Sequence, residues 1–158
     1  MLRVRQLIPP VTARCADGRV VQAWDFKQKR ALAIVFLHAG CRRCVDFLER
    51  LSEQAAQLRA REAVALVVFS ETISVGGNFP AQIVVAADVS GKSQRAYLGA
   101  DAFGPAGQDR VGVFVTDRYG ELCAQWSGPH EDALPQAGEI LGVLSQIQMS
   151  CEECSSPE

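Results

Sequence analysis

Two cysteine pairs, each enclosing two residues, are the parts of this sequence best equipped for chemistry. Cys41 and Cys44 stand in "IVFLHAGCRRCVDFLERL", and Cys151 and Cys154 in the closing "CEEC". Thiolates attack disulfides and bind metals, and a three-residue step at a helix start brings two sulfurs near enough to bond. The remaining two of the six cysteines, Cys15 and Cys123, occur singly in strand-like segments. There a thiol serves as a small packed hydrophobe.

The surroundings of the first pair favour reactivity. Cys41 follows a buried-strand pattern and precedes a helical one, so unpaired N–H groups and the positive end of the helix dipole stabilise a thiolate. Arg42 and Arg43, between the two cysteines, add positive potential. Cys41, at or before the first turn, is expected to be the exposed nucleophile. Cys44 falls on the apolar stripe and is expected to be the buried, resolving thiol. His38, at the strand end, is a candidate to tune the thiols or ligate a metal, or a hydrogen-bonded structural residue. His130 reads as a turn or helix-start residue. Trp24 and Trp126 fit either the site or the core.

The second pair flanks two glutamates, and neighbouring carboxylates raise a thiol pKa. Three readings stay open for Cys151 and Cys154: a dithiol relay passing electrons to Cys41 and Cys44, a four-thiolate zinc or iron site completed with them, or incidental cysteines in a solvated tail.

The elements that must position these residues are legible from periodicity. Asp17-Gly18 between two short alternations signals a hairpin. "WDFKQKR" suits a turn. "ALAIVFL" and "AVALVVFS" read as buried strands and "AQIVVAAD" as a third strand. Cys44, Phe47, Leu48, Leu51, Ala55 and Leu58 mark one helix face. "SGKSQRAYLG" predicts a short helix with Ser90 as cap and Gly99 at its end. "VGVFVTDRYGELCAQW" predicts two strands joined through Gly120, and "EDALPQAGEILGVLSQIQ" a final helix weakened early by Pro135 and Gly138. The order implies an α/β sandwich whose mixed sheet has parallel centre strands and antiparallel edges, preceded by an N-terminal hairpin. One domain over residues 1–148 and a mobile tail over 149–158 follow.

Bulk properties narrow the function. A chain of 158 residues with 48% hydrophobic and 22% charged residues matches one globular domain. A net charge of −2 offers no field for nucleic acid or anionic lipid. No apolar run approaches the ~18 residues that span a bilayer, and the start lacks a signal-peptide core, so a cytoplasmic protein without membrane or nucleic-acid partners is expected. In a reducing compartment, close cysteine pairs point to redox or metal chemistry rather than a structural disulfide framework. "VGGN" lacks the spacing of a phosphate loop, and no serine, histidine and acid trio suggests a hydrolase.

Against this background "AIVFLHAGCRRCVDFLERL" resembles the active-site region of the thioredoxin superfamily. The closer likeness is to its redoxin branch, the peroxiredoxin-like proteins of the alkyl hydroperoxide reductase and thiol-specific antioxidant type. "LIPPVTARCADGRVVQAWDFKQKRALAIVFLH", "VVAADVSGKSQRAYLGA" and "VFVTDRYGEL" are similar to further stretches of that branch, over Ile8 to Ile147. The resemblance implies a thioredoxin-like three-layer sandwich and a thiol-dependent oxidoreductase that needs no organic cofactor. Its partners would be a thiol reductant or a disulfide-containing protein, or a hydroperoxide if the protein acts as a peroxidase. A non-catalytic metal-binding or interaction domain on the same fold is the third reading. Cys41 takes the position of the branch's hydroxyl residue and Cys44 that of its peroxide-attacking cysteine. Arg110 is nearest to the branch's activating arginine, one position off. Val111 stands where thioredoxins carry a cis-proline.

Overall fold

The computed structural model describes residues 2–26, 29–38, 41–71, 79–104, 109–129 and 131–155, with 151–155 described by backbone alone. The chain opens with a hairpin of β1 (Thr12–Cys15) and β2 (Val20–Gln22). Its turn uses Gly18 at φ 89°, and the Asp17 carboxylate accepts the Arg19 N–H at 2.9 Å. A 3-10 turn at Ala23–Phe26 leads into β3 (Ala31–Leu37). Then come α1 (Arg42–Glu53), α2 (Ala55–Ala60), β4 (Ala63–Phe69), β5 (Ile83–Ala87) and α3 (Lys92–Leu98). The chain closes with β6 (Val111–Thr116), β7 (Leu122–Gly128), a 3-10 turn at Glu131–Ala133 and α4 (Ala137–Ser155).

The seven strands form one sheet in the order β2-β1-β5-β4-β3-β6-β7. β3, β4 and β5 pair in parallel, and the flanking pairs are antiparallel, which is the mixed sheet expected from the element order. β3 and β4 are buried at every position because helices cover both faces, so their sequences are apolar throughout instead of alternating. The two-residue period of β3 divides the core. Ala33, Val35 and Leu37 meet Cys44, Leu48 and Leu51 of α1, Leu58 of α2, and Ile140 and Leu144 of α4. Leu32, Ile34 and Phe36 meet Ile8, Val11, Tyr97, Leu98 and Phe114 on the other side. Each such leucine or phenylalanine, fully buried, contributes about 1.5–3 kcal/mol before entropy is charged against it. The result is a three-layer α/β sandwich with Cys44 inside one layer.

β6 is packed closely at one point. A Cβ on Gly112 would come within 2.8 Å of Leu98 Cδ2 and 2.9 Å of the Trp126 carbonyl oxygen, so only glycine fits there without movement.

Four local features depart from the pattern expected of the sequence. The apolar stripe from Cys44 to Leu58 is carried by two helices, because the chain breaks at Gln54, whose N–H turns to Leu51 O at 3.0 Å. Gly91, at φ 74°, is the cap residue of α3 rather than Ser90, and the Asp88 carboxylate accepts the Ser93 N–H at 2.9 Å. Burial opposes the charge on Asp88, but hydrogen bonds from Ser90 and Ser93 outweigh it and hold the carboxyl below its ordinary value. Pro135 precedes α4, since its ring and missing N–H exclude it from a helix interior. α4 then runs on to Ser155, through residues 149–155 of the expected tail, since no glycine or proline interrupts it there.

No helix among the described residues is long and apolar enough to cross a membrane.

Candidate functional site

The first cysteine pair lies where β3 gives way to α1. Cys41 is the N-cap of α1, at φ −101° and ψ 117°, and its sulfur accepts the Cys44 N–H at 3.2 Å. A thiol thus takes the place usually held by a serine or aspartate side chain, satisfying one of the free amides of the first turn. Three residues on, Cys44 faces the core and has no exposed surface, while Cys41 is half-buried. This is the division of exposure anticipated from the apolar stripe. Both cysteines are free.

The charged partner of the pair comes from far along the chain. Glu131, in the 3-10 turn after β7, receives the Cys41 thiol on Oε1 at 3.1 Å. The same oxygen lies 2.7 Å from His38 Nε2. His38 and Glu131 are 13% and 22% exposed, enough to exchange protons with solvent yet desolvated enough for the contacts to count. The hydrogen bond from Cys41 is the main cause that draws the Glu131 carboxyl down to about 2, with the His38 contact adding to it. The Cys44 thiol is pushed far above the ordinary thiol range, first by burial and then by its hydrogen bond with Cys41. A backbone hydrogen bond with His38 acts in the opposite direction, and the negative charge of Glu131 adds to the rise.

The donor atoms of His38, Cys41, Cys44 and Glu131 all lie within 4.8 Å of one another. Of these four, Glu131 is the one the sequence did not mark. The only local signal was its place in an acidic pair, Glu131-Asp132, directly after a strand end.

The other candidates are placed as follows. Arg42 is exposed at the start of α1. Arg43 pairs with Asp132 at 2.6 Å, both well exposed, and so ties α1 to the turn that carries Glu131. Arg110 has Asp101 as its ion partner, at 3.8 Å, instead of either thiol. Val111 is buried in the same core cluster as Cys44, and the half-buried Trp126 packs against that cluster, whereas Trp24 is exposed. Cys15 and Cys123 are half-buried rather than packed inside as their strand-like settings suggested, and the Cys123 thiol donates to Glu121 O at 3.5 Å. His130 lies outside the described residues.

Cys151 and Cys154 are not brought to the first pair by the backbone. α4 begins just after the Glu131 turn, and its residues 151–154 lie roughly 21–26 Å along the helix axis from that start. Gln148, one turn earlier, donates to Ala60 O at 3.3 Å, next to the start of β4 and thus at the opposite end of the sheet. A relay or a four-thiolate site within one chain would need the end of α4 to leave the path described here.

A groove of about 780 Å³ runs beside the site, between α1 and the start of α4, and includes Arg43, Phe47, Arg50, Glu131 and Pro135 in its walls.

No family model and no curated protein matches the sequence. Solved structures do match in fold. The yeast mitochondrial 1-Cys peroxiredoxin superposes with a TM-score of 0.79 at 14% identity, over 98% of this chain and 80% of that one. A reduced 2-Cys peroxiredoxin from Plasmodium vivax gives a TM-score of 0.74 at 14% identity, over 94% and 83%. A protein from Chlorobium tepidum assigned as the thiol:disulfide interchange protein DsbE gives 0.62 at 18% identity, over 95% and 98%. At such identities the likeness speaks to architecture, and on architecture it agrees with the order of elements and the sheet described above: the chain has the thioredoxin-like α/β fold, in the form shared by peroxiredoxins and DsbE-like proteins.

Proposed function

We propose that the protein is a thiol-dependent oxidoreductase that exchanges disulfides through Cys41 and Cys44. One observation carries this reading: the sulfur of the half-buried Cys41, held between an amide donor and a carboxylate acceptor, lies within 4.8 Å of a fully buried second thiol. Cys41 passes its proton to the Glu131–His38 pair and attacks one sulfur of a substrate disulfide. A mixed disulfide forms, and the other substrate sulfur leaves as a thiolate that takes up a proton. Cys44 then passes its proton to the Glu131–His38 pair, whose donor atoms lie within 4.8 Å of its sulfur, and attacks Cys41 Sγ. The second substrate thiolate departs, and two electrons have moved from the protein dithiol to the substrate. An external thiol reductant restores Cys41 and Cys44. While Cys41 is free, burial and its own hydrogen bond keep Cys44 protonated; the mixed disulfide removes the second of these restraints, so the resolving step gains only after the first has occurred.

The same arrangement disfavours hydroperoxide reduction by Cys44, the position that the redoxin resemblance assigns to the attacking thiol. That sulfur has no exposed surface, and burial holds it in its thiol form.

The test is reduction of insulin disulfides with an external dithiol, together with mass spectrometry of alkylated protein before and after one equivalent of peroxide. Cys41→Ser is expected to abolish turnover, and the oxidised protein to contain a Cys41–Cys44 bond. The double variant Cys151→Ser, Cys154→Ser is expected to stay within about twofold of the parent, since α4 carries these residues away from the site. Unchanged turnover in Cys41→Ser removes the proposal.

A further inference from the structure

We propose that His38, Cys41, Cys44 and Glu131 form a four-coordinate site for a zinc ion. The four side chains offer one nitrogen, two sulfurs and one oxygen, with all donor atoms within 4.8 Å of each other. Ordinary Zn–S, Zn–N and Zn–O bonds in a tetrahedron place neighbouring donors roughly 3.3–3.8 Å apart, so an ion requires a contraction or expansion of about 1 Å at most. Two of the edges are already short, at 2.7 Å from His38 to Glu131 and 3.1 Å from Cys41 to Glu131, and both converge on one carboxylate oxygen. Replacing those hydrogen bonds by bonds to a shared cation keeps the same partners together, with shifts of about 1 Å at most.

The chemistry of the set selects the ion. Two thiolates and an imidazole suit zinc and exclude magnesium or calcium, which take all-oxygen shells. The supports are uneven in a useful way. Three donors come from His38 just past β3, the N-cap Cys41 and the first turn of α1, with Cys44 closing the inner side against the core. The fourth arrives on the Glu131–Ala133 turn, which the Arg43–Asp132 pair ties to α1. The inner face is thus dry and fixed, and the outer face open enough for an ion to enter.

This ligand set differs from a four-thiolate site that uses Cys151 and Cys154. It stands on donor geometry and not on the redox reading, because the chain could bind zinc without reducing disulfides, or the reverse. The two activities would compete. If a disulfide substrate takes two electrons from Cys41 and Cys44, the bond formed between them removes two of the four donors and releases the ion.

Full-length protein, reduced with a phosphine and stripped of metal, is titrated with zinc alone against a chromophoric chelator. Cobalt(II) serves in parallel as a spectroscopic reporter. One equivalent of zinc is expected, with thiolate-to-cobalt charge-transfer bands and tetrahedral d–d bands in the cobalt form. Outer-shell partners already shift metal affinity about 10–100-fold, so loss of a ligand in His38→Ala or Glu131→Gln should weaken zinc at least tenfold. Both positions lie at the outer face of the site, which leaves the core intact, and circular dichroism checks the fold. The double variant Cys151→Ser, Cys154→Ser should keep full affinity. Failure of the parent to bind stoichiometrically overturns the proposal. So does unchanged affinity in both His38→Ala and Glu131→Gln, or loss of binding in the tail variant.

Discussion

Replacing Glu131 by glutamine removes one negative charge beside Cys44 while keeping a side chain of the same size, and its effect on that thiol can be worked out. The carboxylate lies within 4.8 Å of the Cys44 sulfur. At that distance two unit charges repel by about 3.5 kcal/mol in a medium of effective dielectric 20. Glu131 is 22% exposed, so solvent screening brings this to somewhat under half, or ~1.5 kcal/mol. One unit of pKa corresponds to about 1.4 kcal/mol, so the fraction of Cys44 present as thiolate at a fixed pH should rise about tenfold. The assay is the rate of iodoacetamide alkylation of Cys44 in a Cys41→Ser background, with and without Glu131→Gln. The ratio cancels the access factor that burial imposes on both proteins. An unchanged or slower rate would refute the claim that Glu131 acts on the buried thiol through its charge.

Two further outcomes follow from the geometry. The Glu131 carboxyl is drawn from its ordinary 4.5 down to about 2, so its contacts stabilise the fold fully above about pH 4.5 and are lost as the pH falls through about 2. Urea unfolding of the parent and of Glu131→Gln should therefore differ on the order of 2 kcal/mol at pH 7 and converge as the pH approaches 2; a gap that persists there would show another origin. Gly112→Ala should lower the thermal midpoint by roughly 3–9 °C, because its methyl group meets the Trp126 backbone oxygen, which cannot turn aside as a side chain would.

The parts of this fold that could be read from the chain are those governed by local period. "ALAIVFL" and "AVALVVFS" are apolar without alternation because two layers of helix cover them, and their strand boundaries follow the apolar runs closely. The burial of Cys44 follows from its spacing to Phe47, Leu48 and Leu51. What local period does not encode is which distant turn closes over a helix start. Glu131 is 90 residues from Cys41, and its approach depends on β6 pairing with β3 and β7 with β6. Arg43 illustrates the same limit. Its charge between the cysteines was evident, but its engagement by Asp132 arises from the tertiary fold. The end of α4 is illegible for a different reason: polar composition marks a solvated segment but does not set its backbone, and serine, glutamate and methionine are all compatible with helix.

The two halves of the candidate site rest on foundations of very different strength. β3 is hydrogen-bonded on both edges and buried along its whole length, so its amides should exchange with deuterium only through global unfolding. The three-residue turn bearing Glu131 is anchored in part by the exposed Arg43–Asp132 pair, a contact of the kind worth at most about 1 kcal/mol and weakened by added electrolyte. Unlatching that turn would carry the carboxylate away and leave both sulfurs where they are. Ionic strength thus reaches the thiols through a contact that holds neither of them.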